Sequence, residues 1–142
     1  MTLVKARAAF ETAIKTAVTA ADATVTVVFD NQPFTTPGKT KKYVMVSVDF
    51  TQATMQAQGA ATDYYSGTIT CGVMTPKNKG NAVSSAISES VIDGLISVND
   101  PGYSDTYSVT PRVSRIEGPN SISDEGASHA LSVVSCTFTA NA

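Results

Sequence analysis

The spacing of apolar residues predicts two helices. Thr2 can cap a first helix, and the apolar residues of 3–21 then recur at the helical period and form a one-sided stripe. A second stripe predicts a helix from residue 82 to about 98, with Asn81 as its N-cap. The predicted core positions of this second helix are Val83, Ala86, Ile87, Val91, Gly94, Leu95 and Val98.

Alternation of apolar and polar residues predicts five strands. Their predicted bounds are 24–29, 43–50, 64–75, 108–117 and 130–139. The resulting order is α-β-β-β-α-β-β, and a length of 142 residues is typical of one domain. We therefore predict a single α+β domain over residues 1–142, with a mostly antiparallel mixed sheet and both helices packed on one face.

The segment 51–63 lies between the second and third strands and has no hydrophobic period. It has almost no charge and no aromatic residue. A structureless stretch of this length between strands is uncommon, and it is usually functional or mobile. We therefore predict that residues 43–75 form a long β-hairpin with a mobile tip at about 51–63.

The chain contains few charged residues, and this excludes some classes of function. Charged residues make up 15% of the chain, the net charge is −2 and the pI is about 5.2, which argues against a nucleic-acid binder. A surface with so few charges is either ordinary polar cover or a surface covered by other copies, and we favour the second. No apolar run is long enough to span a bilayer and no leader pattern opens the chain, so we expect a soluble, intracellular protein.

Candidate chemistry is sparse. His129 begins the last predicted strand, and we expect it at the surface or on an edge strand. Cys71 and Cys136 lie in apolar strands, as buried reduced thiols do, with a disulfide or a metal site as the alternative. No nucleophile elbow, phosphate-binding glycine pattern or cluster of metal ligands occurs. We therefore predict no catalytic activity, no cofactor and no metal.

Two features of the predicted helices suggest contacts with another subunit. Ile92 and Ile96 lie one turn apart, nearly opposite the core stripe and beside Glu89, so they form either a contact patch or scattered exposed aliphatic residues. Arg7 lies within the stripe of the first helix, where it either extends to the edge of the core or contacts a neighbour.

The lysines are grouped in two short segments. Both groups come just before a predicted element and can lie together at one end of the sheet. They form either a solvated patch or a surface for an acidic partner or passing DNA. The lysines concerned are Lys39, Lys41, Lys42, Lys77 and Lys79.

Several short motifs follow the amphipathic helix in a defined order. They are Asn-x-Pro-Phe-x-x-Pro at 31–37, Tyr-Val-Met-Val at 43–46, Tyr-Ser-Gly-Thr-Ile at 65–69, Thr-Pro-Lys-Asn-Lys-Gly at 75–80 and Ile-Asp-Gly-Leu-Ile at 92–96. In their order and spacing the chain resembles the tail terminator (tail-completion) proteins of long-tailed bacteriophages. The match covers most of residues 1–98 and is weaker after Gly102. The Cys-Gly-Val-Met run at 71–74 departs from the more uniformly aliphatic strand expected there.

The resemblance implies a ring of six subunits at the head-proximal end of the finished tail tube, assembled in the host cytoplasm. Such a ring stops polymerisation of the tail tube protein, offers its other face to the head connector and lets DNA pass. On this basis we expect ring contacts at Arg7, Glu89, Ile92 and Ile96. We expect contacts with the tube or a partner at Thr51, Gln52, Thr54, Met55, Gln56, Gln58 and Asp63. The five lysines would line the channel or dock an acidic partner.

Two alternatives remain open at this point. One is another structural protein of the phage neck or tail, such as a head-completion protein or a tail tube subunit, and a tube subunit would polymerise into long tubes by itself. The other is a small intracellular binding domain or an enzyme, with a concave pocket lined by convergent polar groups.

Overall fold

The elements of the fold follow the predicted order. A computed structural model describes residues 2–30, 41–55, 63–76, 82–100, 110–122 and 129–141. The elements are α1 (Thr2–Ala21), β1 (Thr26–Phe29), β2 (Tyr43–Met55), β3 (Asp63–Pro76), α2 (Ala82–Ser97), β4 (Thr110–Ile122) and β5 (His129–Asn141). The predicted cap Asn81 and the motif at 31–37 lie outside the described residues.

The strands form one five-stranded sheet in the order β1-β2-β3-β5-β4. β1 pairs with β2 in parallel, and the other three pairings are antiparallel. Both helices pack on one face of this sheet. The predicted fold class, a single α+β domain with a mixed and mostly antiparallel sheet, is confirmed.

The core lies between the helices and one face of the sheet, which we call the inner face. Alternate residues of the three central strands point into it, in rows such as Val46–Cys71–Val134. From α1, Phe10 and Ile14 meet these rows at the helical spacing and are completely buried. Burying one such side chain stabilises the fold by about 1.5–3 kcal/mol.

A glycine brings the two helices close together. A Cβ atom at Gly94 would lie 2.9 Å from the carbonyl oxygen of Ala13 and 3.0 Å from the Cβ of Ala17. Contacts this short leave no room for a side chain, so α2 lies directly against the backbone of α1. The position of α2 on the sheet is therefore set by this crossing.

The buried side of α2 differs from the predicted stripe at its N-terminal end. Val83 is 39% exposed and Ala86 is exposed, because α1 ends at Ala21 and leaves a hollow of about 300 Å³ beside them. Ser90 is buried instead, and its hydroxyl donates to the carbonyl oxygen of Ile87 at 2.6 Å. This bond within the helix satisfies the hydroxyl and makes its burial possible.

The hairpin is longer than predicted. β2 continues through residues 51–55 to Met55, which pairs with Asp63 at the start of β3. The register shifts between Phe50 and Gln52, so a β-bulge interrupts the side-chain alternation on which the strand prediction depended. The prediction that the loop begins at Thr51 is therefore wrong, and the remaining residues, 56–62, lie outside the described part of the chain.

The last two strands also extend beyond their predicted bounds. β4 contains register shifts between Ser114 and Ile116 and between Glu117 and Asn120. Each shift breaks the two-residue period, which is why the pattern indicated a strand ending at residue 117 instead of 122.

Candidate functional site

The face of the sheet opposite the helices, which we call the outer face, is covered by no helix that the structure describes. At one end it forms a groove of about 400 Å³ that we call the outer groove, which is mostly apolar. It is lined by Met45, Gly72, Met74, Leu131 and Val133, by part of β1, and by the polar residues Asp30, Ser47 and Thr70. The strand register places Gly72 directly between Met45 and Val133, so the floor has a gap where a side chain would stand. The outer groove is thus an apolar depression that the chain's own core does not use.

The other end of the outer face is polar and carries charges of both signs, Arg112 and Arg115 together with Asp49 and Glu117. Arg115 lies at the first bulge of β4 with a φ of 49°, and its side chain is 81% exposed. The guanidinium Nε lies 3.2 Å from a carboxylate oxygen of Glu117. With the outward hydroxyl residues Thr68 and Ser135 it lines a second hollow of about 310 Å³. The outer face therefore combines a mostly apolar groove with a separate region of mixed charge that contains Arg115.

The distal part of the β2–β3 hairpin, residues 51–55 and 63–66, forms what we call the hairpin arm. Thr51, Gln52 and Ala53 are consecutive strand residues, and all three are exposed. Because successive strand residues point to opposite faces, both faces of the arm are uncovered here among the described residues. The exposed residues Thr51, Gln52 and Ala53 of the arm carry no charge.

An aromatic cluster anchors the base of the hairpin arm. The Phe138 ring lies 4.6 Å from that of Phe10 in α1 and 5.3 Å from that of Phe50 in β2, measured between centroids. Tyr65 of β3 adds an edge contact to Phe50 at 6.1 Å. Such pairs stabilise by about 0.5–1.5 kcal/mol beyond their buried area, so the arm starts from a well-packed base.

Arg7 belongs to this anchor. Its guanidinium lies 5.4 Å from the centroid of the Phe50 ring, and it pairs with Glu11 at 3.8 Å and with Asp30 at 4.0 Å. Burial raises the pKa of Glu11, and the charge of Arg7 opposes that rise. Asp30 also accepts a hydrogen bond of 3.2 Å from the backbone N–H of Val48. The contacts that the structure describes for Arg7 are within the chain, and its role in a ring stays a prediction.

The exposed face of α2 contains only part of the predicted contact patch. Ile96 is 52% exposed, and Glu89 and Asp93 are exposed on the same side of the helix. Ile92 is half-buried and packs against the core, so the prediction that it faces outward with Ile96 is wrong. The close crossing at Gly94 fixes the rotation of α2 and so decides which of the two isoleucines is exposed.

The predicted lysine cluster is only partly within the described residues. Lys41 is exposed, whereas Lys42 forms an ion pair with Asp22, whose carboxylate also accepts hydrogen bonds from the N–H and hydroxyl of Thr24. The bond from Lys42, followed by those from Thr24, holds the pKa of Asp22 well below its usual range. Lys42 is therefore committed to a contact within the chain.

The remaining predicted site residues lie either in the hairpin arm or outside the described part of the chain. Thr54, Met55 and Asp63 are strand positions of the hairpin arm, as are Thr51 and Gln52. The predicted residues outside the described part of the chain are Lys39, Gln56, Gln58, Lys77 and Lys79.

His129 is buried, which corrects the expectation of a surface or edge position. It is 4% exposed and lies on β5, a strand with neighbours on both sides. Its Nε2 lies 2.9 Å from the carbonyl oxygen of Lys41, and its ring meets that of Tyr43 edge-on at 5.1 Å. Both contacts come from residues near the start of β2, which are distant in sequence, so the local sequence carries no sign of this burial.

Both cysteines are free and buried on the inner face, in agreement with the prediction of buried reduced thiols. Burial raises the pKa of Cys71 to about 12 and that of Cys136 to about 11. Such thiols react slowly because little thiolate is present at neutral pH. Within the described ranges, no group of three or more His, Cys, Asp or Glu side chains is placed to hold a metal ion.

Comparison with known proteins gives a fold without a function. No protein-family model matches the chain, and no curated protein matches it. One similar solved structure, of a protein that has only a sequence identifier for a name, covers 99% of this chain and 95% of its own chain. Its TM-score is 0.64 at 22% identity, so the likeness shows the fold alone. In the part of the chain described here, no helix is long and apolar enough to cross a membrane.

Proposed function

We propose that this chain is a virion structural protein that forms a ring, of six copies by its resemblance to tail terminators, on the head-proximal end of a bacteriophage tail tube. The ring stops further addition of tube subunits and provides the surface to which the head connector binds. It works through interfaces between proteins, without catalysis, and DNA passes through its centre.

The observation that carries this proposal is the uncovered outer face with its apolar groove. The outer groove exposes Met45 to 42%, and the opposite side of the domain exposes Ile96 to 52%. An exposed apolar patch such as the outer groove marks a site of interaction between proteins. Because the outer groove and Ile96 lie on opposite sides of the domain, they favour a head-to-tail contact, which closes into a ring when the rotation between copies allows it.

The hairpin arm is the surface that we assign to the tail tube. Its exposed residues Thr51, Gln52 and Ala53 carry no charge, and its base is fixed by Phe50 and the aromatic rings around it. A rigid base lowers the entropic cost of ordering the arm against a neighbour. This assignment retains the predicted partner contacts at 51–55 and gives them a strand conformation.

The mass of the purified protein in solution tests the proposal. Six copies of the 14.8-kDa chain come to 88.8 kDa, and light scattering over a dilution series should show this mass at high concentration. Negative-stain images of the same sample should show single rings. Long tubes would instead indicate a tail tube subunit, and a chain that stays at 14.8 kDa at every concentration would favour a monomeric binding domain.

A further inference from the structure

We infer that the ring contact is made by the exposed face of α2 of one copy on the outer face of the next copy, with Ile96 in the outer groove and Glu89 and Asp93 facing Arg115. This inference rests on the proposed function, because it names the two surfaces that build the proposed ring.

The shape of the outer groove suits a branched aliphatic side chain. A Cβ atom placed on Gly72 would have Leu131 Cδ1 as its nearest neighbour, at 3.4 Å, so the floor is open above this residue. The walls include Met45 and Met74, and methionine side chains adjust readily to the shape of a partner. Ile96 is the large aliphatic residue that α2 exposes near its C-terminal end.

The charge complementarity of the two surfaces is local to Arg115. The α2 sequence contains Glu89 and Asp93 and no basic residue, and both carboxylates are exposed. The outer face carries Arg112 and Arg115 together with Asp49 and Glu117, and the side chain of Arg115 is 81% exposed. A guanidinium has five N–H donors, so Arg115 can keep its contact with Glu117 and still bind a carboxylate of a neighbour.

The distance between the apolar and the charged contact is similar on the two surfaces. Ile96 and Glu89 are seven residues apart on the helix, a distance of roughly 10 Å along its axis. On the outer face, Val133 lines the groove, and Ser135 and Thr137 lie beside Arg115. Ser135 and Thr137 follow Val133 on β5 by two and four positions, which is a distance of roughly 7–13 Å along the strand. One straight helix can therefore fill the groove and reach Arg115 at the same time.

Cross-linking between two different variants tests this pairing. A short bismaleimide should link Ile96→Cys protein to Met45→Cys protein in a mixture, whereas neither variant alone should form a linked dimer. The native Cys71 and Cys136 are buried and give little background. Thr12→Cys, at an exposed position of α1, replaces Ile96→Cys in the matched control and should give no linked dimer with Met45→Cys.

A charge exchange tests the second contact. Glu89→Lys and Arg115→Glu should each weaken association, roughly fivefold or more, because each places like charges together. The double variant should recover most of the loss. Linked dimers of Ile96→Cys with itself would overturn the inference in favour of a symmetric contact.

The inference and the proposed function can fail separately. If the unmodified protein forms rings of 88.8 kDa but the mixed cysteine variants do not link and the charge exchange does not restore association, this pairing is wrong and the ring remains. If the unmodified protein stays at 14.8 kDa at every concentration, the proposed ring itself is contradicted, and this inference with it.

Discussion

The two faces of the sheet are built from the same strands but differ in how apolar and polar residues are arranged on them. On the inner face, rows such as Val48–Ile69–Cys136 are apolar from strand to strand and are buried under the helices. On the outer face, the row Met45–Gly72–Val133 is apolar and partly exposed, and the next row toward the hairpin arm is Ser47–Thr70–Ser135. An antiparallel sheet that meets only water on one face carries polar residues there. The apolar half of the outer face therefore supports the proposal that another chain binds there.

The largest expected difference between the faces is in stability. Phe138→Ala removes a fully buried ring of the inner face and should lower the free energy of unfolding by about 3–5 kcal/mol. Met45→Ala on the outer face should lower it by less than about 1 kcal/mol, because the side chain is 42% exposed in one copy. Urea unfolding of dilute protein measures both values. Equal losses would mean that the outer groove belongs to the core.

The reaction rate of a cysteine thiol measures how accessible each face of the sheet is. With its pKa raised to about 12, Cys71 should hold about a thousandfold less thiolate than an ordinary cysteine at pH 8. In dilute protein, where copies do not cover one another, a cysteine introduced by Met45→Cys should react with a thiol reagent at the rate of an exposed thiol. Rapid reaction of Cys71 in the folded protein would contradict its burial.

The two glycines of β3 give a matched pair of substitutions. Gly67 faces inward, where a Cβ atom would lie 2.0 Å from the carbonyl oxygen of Asp49 and 2.8 Å from Phe138 Cζ. Gly67→Ala should therefore destabilise the fold by about 1–3 kcal/mol or more. Gly72→Ala meets only an ordinary contact at 3.4 Å and should leave stability nearly unchanged while it weakens association. Thermal unfolding and light scattering separate the two effects.

The smallest expected effect concerns the ion pair between Asp22 and Lys42. Because the pKa of Asp22 is lower in the folded than in the unfolded chain, the stability it contributes is present above its ordinary pKa of 3.8 and is lost as the pH falls below that value. Asp22→Asn should remove this part of the acid dependence, since the amide does not titrate. Urea midpoints measured from pH 6 down to pH 2 check this. Identical pH profiles for both proteins would contradict the contribution.

The spacing of apolar residues predicted most of the fold because the residues that form the inner face recur at the helical and strand periods. The stripe of α1 follows the helical period, and the inward residues of β3 and of β2 up to the bulge at Phe50 follow the strand period. All five strands lie near their predicted positions. The fold class follows from the order of these elements alone.

The errors fall where contacts distant in sequence decide burial. The rotation of α2, and with it the burial of Ile92, depends on the close approach of Gly94 to α1. The burial of His129 depends on contacts near the start of β2, which is distant in sequence. A glycine within a strand signals close approach or a gap, so Gly67 and Gly72 were the sequence features from which the aromatic anchor and the outer groove could have been predicted.

The most direct test of the outer face as a contact surface is the solution mass of the unmodified protein beside that of Met45→Glu. A charge in the outer groove should prevent association, while the urea midpoint of the dilute protein should change little because the position is exposed in one copy. We predict 88.8 kDa for the unmodified chain and 14.8 kDa for the variant at the same concentration. An unmodified chain that remains at 14.8 kDa, or a variant that still forms the ring, would contradict this prediction.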